Sequence, residues 1–238
     1  APIIFDSGYE KIQADSISSM TKRAVKTNVH LGSPYSSRGK DQQGDPVRFV
    51  GSVGCRAMHG TEHGFVTAAH CLPKMGLSVC IGETDTNLGK VTSVKLNASS
   101  DAAFVAVDYD KYYPTNTTYR TKTALYDKIL KNSSLVGYEV STEGQKTANV
   151  VKAKVTEINK KVHVQKWTPA GQADFYANNM VYATFTSSQT QEGDSGGIVY
   201  VNGYVAGIHS ARLGNTTQIF SSAELVLKDL GLTNIWEK

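Results

Sequence analysis

"QTQEGDSGGIVYVNGYVAGIHSA", residues 189–211, decides how this chain is read. An acidic residue, a serine and paired glycines come first, then strand-like apolar runs that end on His209 and Ser210. Glycines on both sides of Ser195 let the backbone bend sharply, so that N–H groups point at one spot. Such a turn can form an oxyanion hole from the amides of Gly193 and Ser195. Gly-Asp-Ser-Gly is also good hairpin-turn composition. A lone serine is a poor nucleophile, so a base must come from elsewhere in the chain.

Working outward, the chain of 238 residues suits one large domain or two small ones. Hydrophobic residues make up 40% and charged residues 19%, a globular balance. Val, Thr, Tyr and Ser are frequent and helical periodicity is scarce, which points to an all-β protein. The net charge of +4 is spread along the chain without a dense basic block, which argues against nucleic-acid binding. No apolar run is long enough to cross a membrane as a helix. The start at Ala1 reads as an N-terminus already made by processing. Sequons at Asn97, Asn116, Asn132 and Asn215 mark surface turns.

Residues 1–28 are polar and weakly patterned, with Lys22-Arg23 among them, and read as an extension or propeptide remnant. From Val29 short apolar runs alternate with turn signals. They include "VRFVGSVGCRA" (47–57), "GFVTAAHC" (64–71), "DAAFVAVD" (101–108), "NVVKAKVTEIN" (149–159) and "KVHVQKW" (161–167). Regular strands of this kind suggest a sandwich or barrels. "SSAELVLKDLGL" has the capping-box spacing Ser221 to Glu224 and a closing Gly231, which predicts one short C-terminal helix.

His70 ends an apolar run beside Cys71, which would set it at a strand end facing a cleft. The bland alternative is a hydrogen-bonded structural histidine. Asp101 opens a buried-looking strand and is the candidate to orient the imidazole; Asp108, Asp85 and Asp110 are the competitors. Sequence alone does not pair the three cysteines, Cys55, Cys71 and Cys80. A Cys55–Cys71 disulfide, 16 residues apart, would pin neighbouring strands. A zinc site from Cys55, His59, His63 and His70 has spacings that suit a helix, whereas the surroundings read as strand and turn. No metal and no cofactor are expected. His59 and His63 read as loop residues, His163 as an outward strand residue, and His30 is unassigned.

"TAAHC", "DAAFV" and "GDSGG", in the order His, Asp, Ser, resemble the chymotrypsin-type serine proteases over roughly residues 29–238. The resemblance implies two antiparallel six-stranded β-barrels with the catalytic groups in the cleft between them. It implies His70 as general base, Asp101 as its orienter, Ser195 as nucleophile and Gly193 as oxyanion donor. "GSPYSS" and "TTQIFSSAELVLKDLGL" are similar to streptogrisin-like bacterial secreted enzymes. Two features depart from the family: no Ile-Val-Gly-Gly-type N-terminus is visible, and the disulfides that brace the second barrel are missing.

The family's trypsin-like members carry an Asp six residues before the serine; here that position is Gln189, which disfavours cleavage after Lys or Arg. Thr190, with His209 on the later strand, resembles the pocket of glutamyl endopeptidases, including staphylococcal enzymes and exfoliative toxins. A His N–H and a Thr hydroxyl can both donate to a carboxylate. In that resemblance Ser210 bonds the catalytic aspartate and lines the cleft. The expectation is a secreted, monomeric endopeptidase acting on proteins or peptides after Glu or Asp, with retained residues 1–28 marking a zymogen. The alternatives are a protease of broad or small-apolar specificity, with His209 structural, and a non-catalytic binding module on the same fold.

Overall fold

The computed structural model describes residues 25–232, so residues 1–24 of the expected extension lie outside the described residues. The first half is built from β1 (Thr27–Leu31), β2 (Pro34–Lys40), β3 (Pro46–Ser52), β4 (Arg56–His59), β5 (Glu62–Thr67), β6 (Ser78–Ile81), β7 (Asn87–Val94), β8 (Ala103–Val107) and β9 (Tyr112–Thr118). β1 runs parallel to β9. The other seven form one antiparallel sheet in the order β3-β2-β6-β7-β8-β5-β4. β3 and β4 are two halves of one run, broken at residues 53–55, so these three residues join the two ends of the sheet.

The second half closes into a six-stranded barrel. Its members are β10 (Glu139–Glu143), β11 (Val151–Thr168), β12 (Gly171–Phe185), β13 (Ile198–Val201), β14 (Tyr204–Leu213) and β15 (Thr217–Ser222). Val151, Ala153 and Val155 point inward while Lys152, Lys154 and Thr156 face out, the alternation a pleated strand imposes. The strands are rich in β-branched and aromatic residues, and the all-β expectation holds.

One element differs from the sequence reading. "NVVKAKVTEIN" and "KVHVQKW" are a single 18-residue strand, β11. The polar break at Asn159–Lys160 is a register irregularity with Asn159 at φ +59°, not a turn. The long β11–β12 hairpin therefore reaches the first half of the molecule. Ala173 and Phe175 enter the core formed by Tyr35, Phe65, Leu72 and Val91. Trp167 Nε1 donates to Lys40 O at 2.7 Å. Burying Phe175 there contributes about 1.5–3 kcal/mol to docking the two halves.

The C-terminal helix α1 spans Ala223–Leu230 and Gly231 closes it at φ +66°. The expected capping box does not form. Ser222 is the N-cap, with no side-chain capping bond. Ser221 Oγ instead accepts the Asp101 N–H at 2.9 Å, and Glu224 accepts the Asn132 N–H at 2.8 Å. Both side chains join separate parts of the fold rather than the helix end.

Candidate active site

β5 ends at Thr67, and the chain turns at once through buried Ala68 and Ala69. The Cys71 N–H donates to Ala68 O, and the Leu72 N–H to Ala69 O. His70 thus sits in a tight turn rather than on the strand. Its backbone N–H donates to Asp101 Oδ1 at 2.9 Å and its Nδ1 lies 2.6 Å from Asp101 Oδ2. One carboxylate therefore fixes both the turn and the ring. Ser210 Oγ donates to the same Oδ2. Asp101 is fully buried. Burial alone would raise its pKa, but the charge of His70 and these hydrogen bonds hold it below the usual carboxylate range. Burial works against a charged His70, and the Asp101 carboxylate outweighs it, so the ring's pKa is raised. Two of the competing aspartates are engaged elsewhere: Asp108 with Lys111, and Asp85 with Arg38 and Arg48.

The turn before β13 carries Ser195. Gly193 stands at φ +101° and Gly196 at φ +88°, where side chains are strained. A Cβ on Gly196 would also meet Thr67 Oγ1 at 2.0 Å. Neither the Gly193 amide nor the Ser195 amide has a hydrogen-bond partner among the described residues. Ser52 ties this turn to the first sheet: its Oγ donates to Gly193 O at 2.8 Å and its N–H to Ser195 O. Asp194 is buried, and its carboxylate accepts the N–H groups of Lys146, Thr147 and Gln191 and the Thr147 hydroxyl. The turn is thus held by the 144–147 loop. Ser195 Oγ donates to Ser210 O at 3.1 Å, and no hydrogen bond joins it to His70 among the described residues.

His70, Ser195, Thr190, His209 and Ser210 line one cavity of about 310 Å³. His209 and Thr190 are buried. Burial lowers the His209 pKa to about 4, outweighing the attraction of Asp194, so the ring is neutral at pH 7. The Thr190 hydroxyl oxygen is buried and unpartnered among the described residues. Gln189 turns away, its amide bonded to Asn215 O and to Arg212.

Sequence reasoning missed three contributors. Arg212 also lines the cavity; its Nη1 donates to Gln189 Oε1 at 2.8 Å, and no carboxylate pairs with it among the described residues. It lies two residues beyond Ser210 on the same strand, a signal the sequence did hold. Lys166 lines the cavity from β11, which only the long hairpin could reveal. Gln218, on β15, contacts His209 from behind.

The expected Cys55–Cys71 disulfide is absent: both are free, buried thiols. Cys55 belongs to the core cluster of Leu31, Ala57 and Val66, whereas Cys71 belongs to that of Tyr35 and Leu72. The two thiols serve different cores, and burial pushes Cys55 up to about 12. The four residues of the zinc alternative are engaged separately: His59 lies near Glu62, His63 stacks on Tyr109 and His70 binds Asp101. No group of three or more metal-ligating side chains occurs among the described residues.

A fold of two β units with a histidine–aspartate pair and a glycine-framed serine in the cleft defines a class of hydrolase. The family model for trypsin matches residues 32–222, and the chain belongs to that family of chymotrypsin-fold serine proteases. Thermobifida fusca Protease A is 18% identical, with a TM-score of 0.65 over 89% of this chain and 100% of that one. Nocardiopsis protease is 22% identical, with a TM-score of 0.63 over 87% and 99%. A third structure, 21% identical with a TM-score of 0.63 over 87% and 100%, is a glutamic-acid-specific serine protease described as using a novel histidine triad in substrate binding. No curated protein matches the chain.

Proposed function

We propose that the protein is a secreted serine endopeptidase that cleaves after glutamate, using His70, Asp101 and Ser195. Ser195 Oγ leaves the Ser210 carbonyl and attacks the substrate carbonyl, while His70 Nε2 takes its proton. The partner-free amides of Gly193 and Ser195 receive the oxyanion. His70 then returns the proton to the leaving amine, and water completes the second half of the acyl transfer. Asp101 keeps the Nδ1 proton in place and stabilises the imidazolium.

The observation that carries the specificity is the pocket beside Ser195. A neutral His209 and the orphaned, buried Thr190 hydroxyl lie there with two cations, Arg212 and Lys166, and one carboxylate, Glu192. A substrate carboxylate supplies the acceptor that the two buried groups lack, and an apolar side chain leaves them unpaired. The glutamate-specific structural neighbour is consistent with this preference but uses a histidine triad. In this chain Gln218 is the side chain that contacts His209 Nδ1.

Ser195→Ala is expected to abolish peptide hydrolysis while the melting temperature and circular dichroism stay unchanged. Retained turnover in that variant would overturn the mechanism.

A further inference from the structure

Gln218 lies on the far side of His209 from the cavity. Its Nε2 is 2.7 Å from Thr142 Oγ1 and 3.3 Å from His209 Nδ1, and all three residues are buried. In this orientation the amide nitrogen, which carries two hydrogens, faces Thr142 Oγ1 and His209 Nδ1, while the amide oxygen is buried without a partner among the described residues. A neutral imidazole that accepts at Nδ1 must carry its proton on Nε2. His209 Nε2 is not among the buried unpartnered atoms and has no partner among the described residues. It therefore opens to the cavity that Thr190 and Ser195 line.

We infer that Gln218 is a specificity-determining positioning residue: anchored on Thr142, it fixes the tautomer of His209 that donates into the pocket. This rests on the proposed glutamate pocket for its consequence, though not for its geometry. A carboxylate accepts hydrogen bonds only, so the same ring in the opposite tautomer would present a lone pair to it and repel it. The discrimination between Glu and its amide Gln would then fall most, because the amide of Gln can donate to a bare Nε2.

The test combines a long-range ¹⁵N–¹H spectrum of the histidine rings with kinetics on paired Glu and Gln peptides. Wild type is expected to show His209 protonated at Nε2 and bare at Nδ1. Gln218→Leu removes the donor that holds Nδ1 bare, so both tautomers become populated and kcat/KM for the Glu peptide falls about 10-fold through KM, with kcat little changed. Gln218→Glu sets a carboxylate at Nδ1, which favours a proton on both ring nitrogens and should retain the Nε2 proton and more of the Glu-over-Gln ratio. A wild-type spectrum with the proton on Nδ1 overturns the inference, as does an unchanged Glu-over-Gln ratio in Gln218→Leu. If wild type has the Nε2 proton yet shows no Glu preference, the glutamate pocket fails and the tautomer assignment stands.

Discussion

The turn that holds His70 and the strand that holds His209 bury the same side chain to the same degree and give it opposite chemistry. His70 is 4% exposed and His209 is 2% exposed. His70 faces a buried carboxylate, so its positive form is favoured despite desolvation. His209 has an amide behind it and Asp194 acting only at longer range, so desolvation wins and the ring stays neutral. Burial does not decide what a histidine does; the group at its Nδ1 does. In the proposed mechanism one ring moves a proton and the other holds a hydrogen bond to the substrate.

The strongest way to break this contrast is to make the first site like the second. Asp101→Asn replaces the carboxylate by an amide, which no longer raises the His70 pKa and admits the wrong tautomer. We expect kcat to fall by about 10⁴-fold, with the acidic limb of the pH profile moving to lower pH. A loss of less than tenfold would show that Asp101 does not orient the base.

The contrast also has a stability signature. His209 has a folded pKa of about 4 against 6.5 for the ordinary ring. The unfolded chain binds more protons below pH 6.5, so stability is fully present above that pH and is lost as pH falls towards 4. The loss is on the order of 3 kcal/mol. Denaturant midpoints measured across this range should fall in wild type and fall less in His209→Gln. Equal slopes would show that the buried ring does not remain neutral.

A smaller effect sharpens the role of the serine turn. Thr147→Val removes one of the four donors to Asp194. We expect a cost of roughly 1–3 kcal/mol in stability. A fall in kcat of about tenfold should accompany it, with KM nearly constant, because the oxyanion amides lose alignment. A change confined to KM would place Thr147 in substrate binding instead.

Much of this was legible in residue order. "TAAHC", "DAAFV" and "GDSGG" mark groups that must lie within local turns, and such turns are written in small residues and glycines. Thr190 and His209 were readable for the same reason, since each lies within fifteen residues of Ser195. What escaped depends on pairing across the fold. Asn159 looks like a turn until β12 lies beside it and absorbs the irregularity. Ser221 and Glu224 have capping-box spacing, but Asp101 and Asn132 compete for them. Cys55 and Cys71 have a plausible separation, yet their thiols belong to two cores. Gln218 carries no local signal, because its meaning arises only when β14 and β15 align it behind His209.

The most direct test is cleavage of a peptide panel that differs only in the residue before the scissile bond: Glu, Asp, Lys, Phe, Leu and Ala. Cleavage after Glu should dominate, and His209→Ala should reduce that preference by about 10- to 100-fold. Equal cleavage after Phe, Leu or Ala, unaffected by His209→Ala, would contradict the pocket, and no cleavage of any peptide would contradict the enzyme.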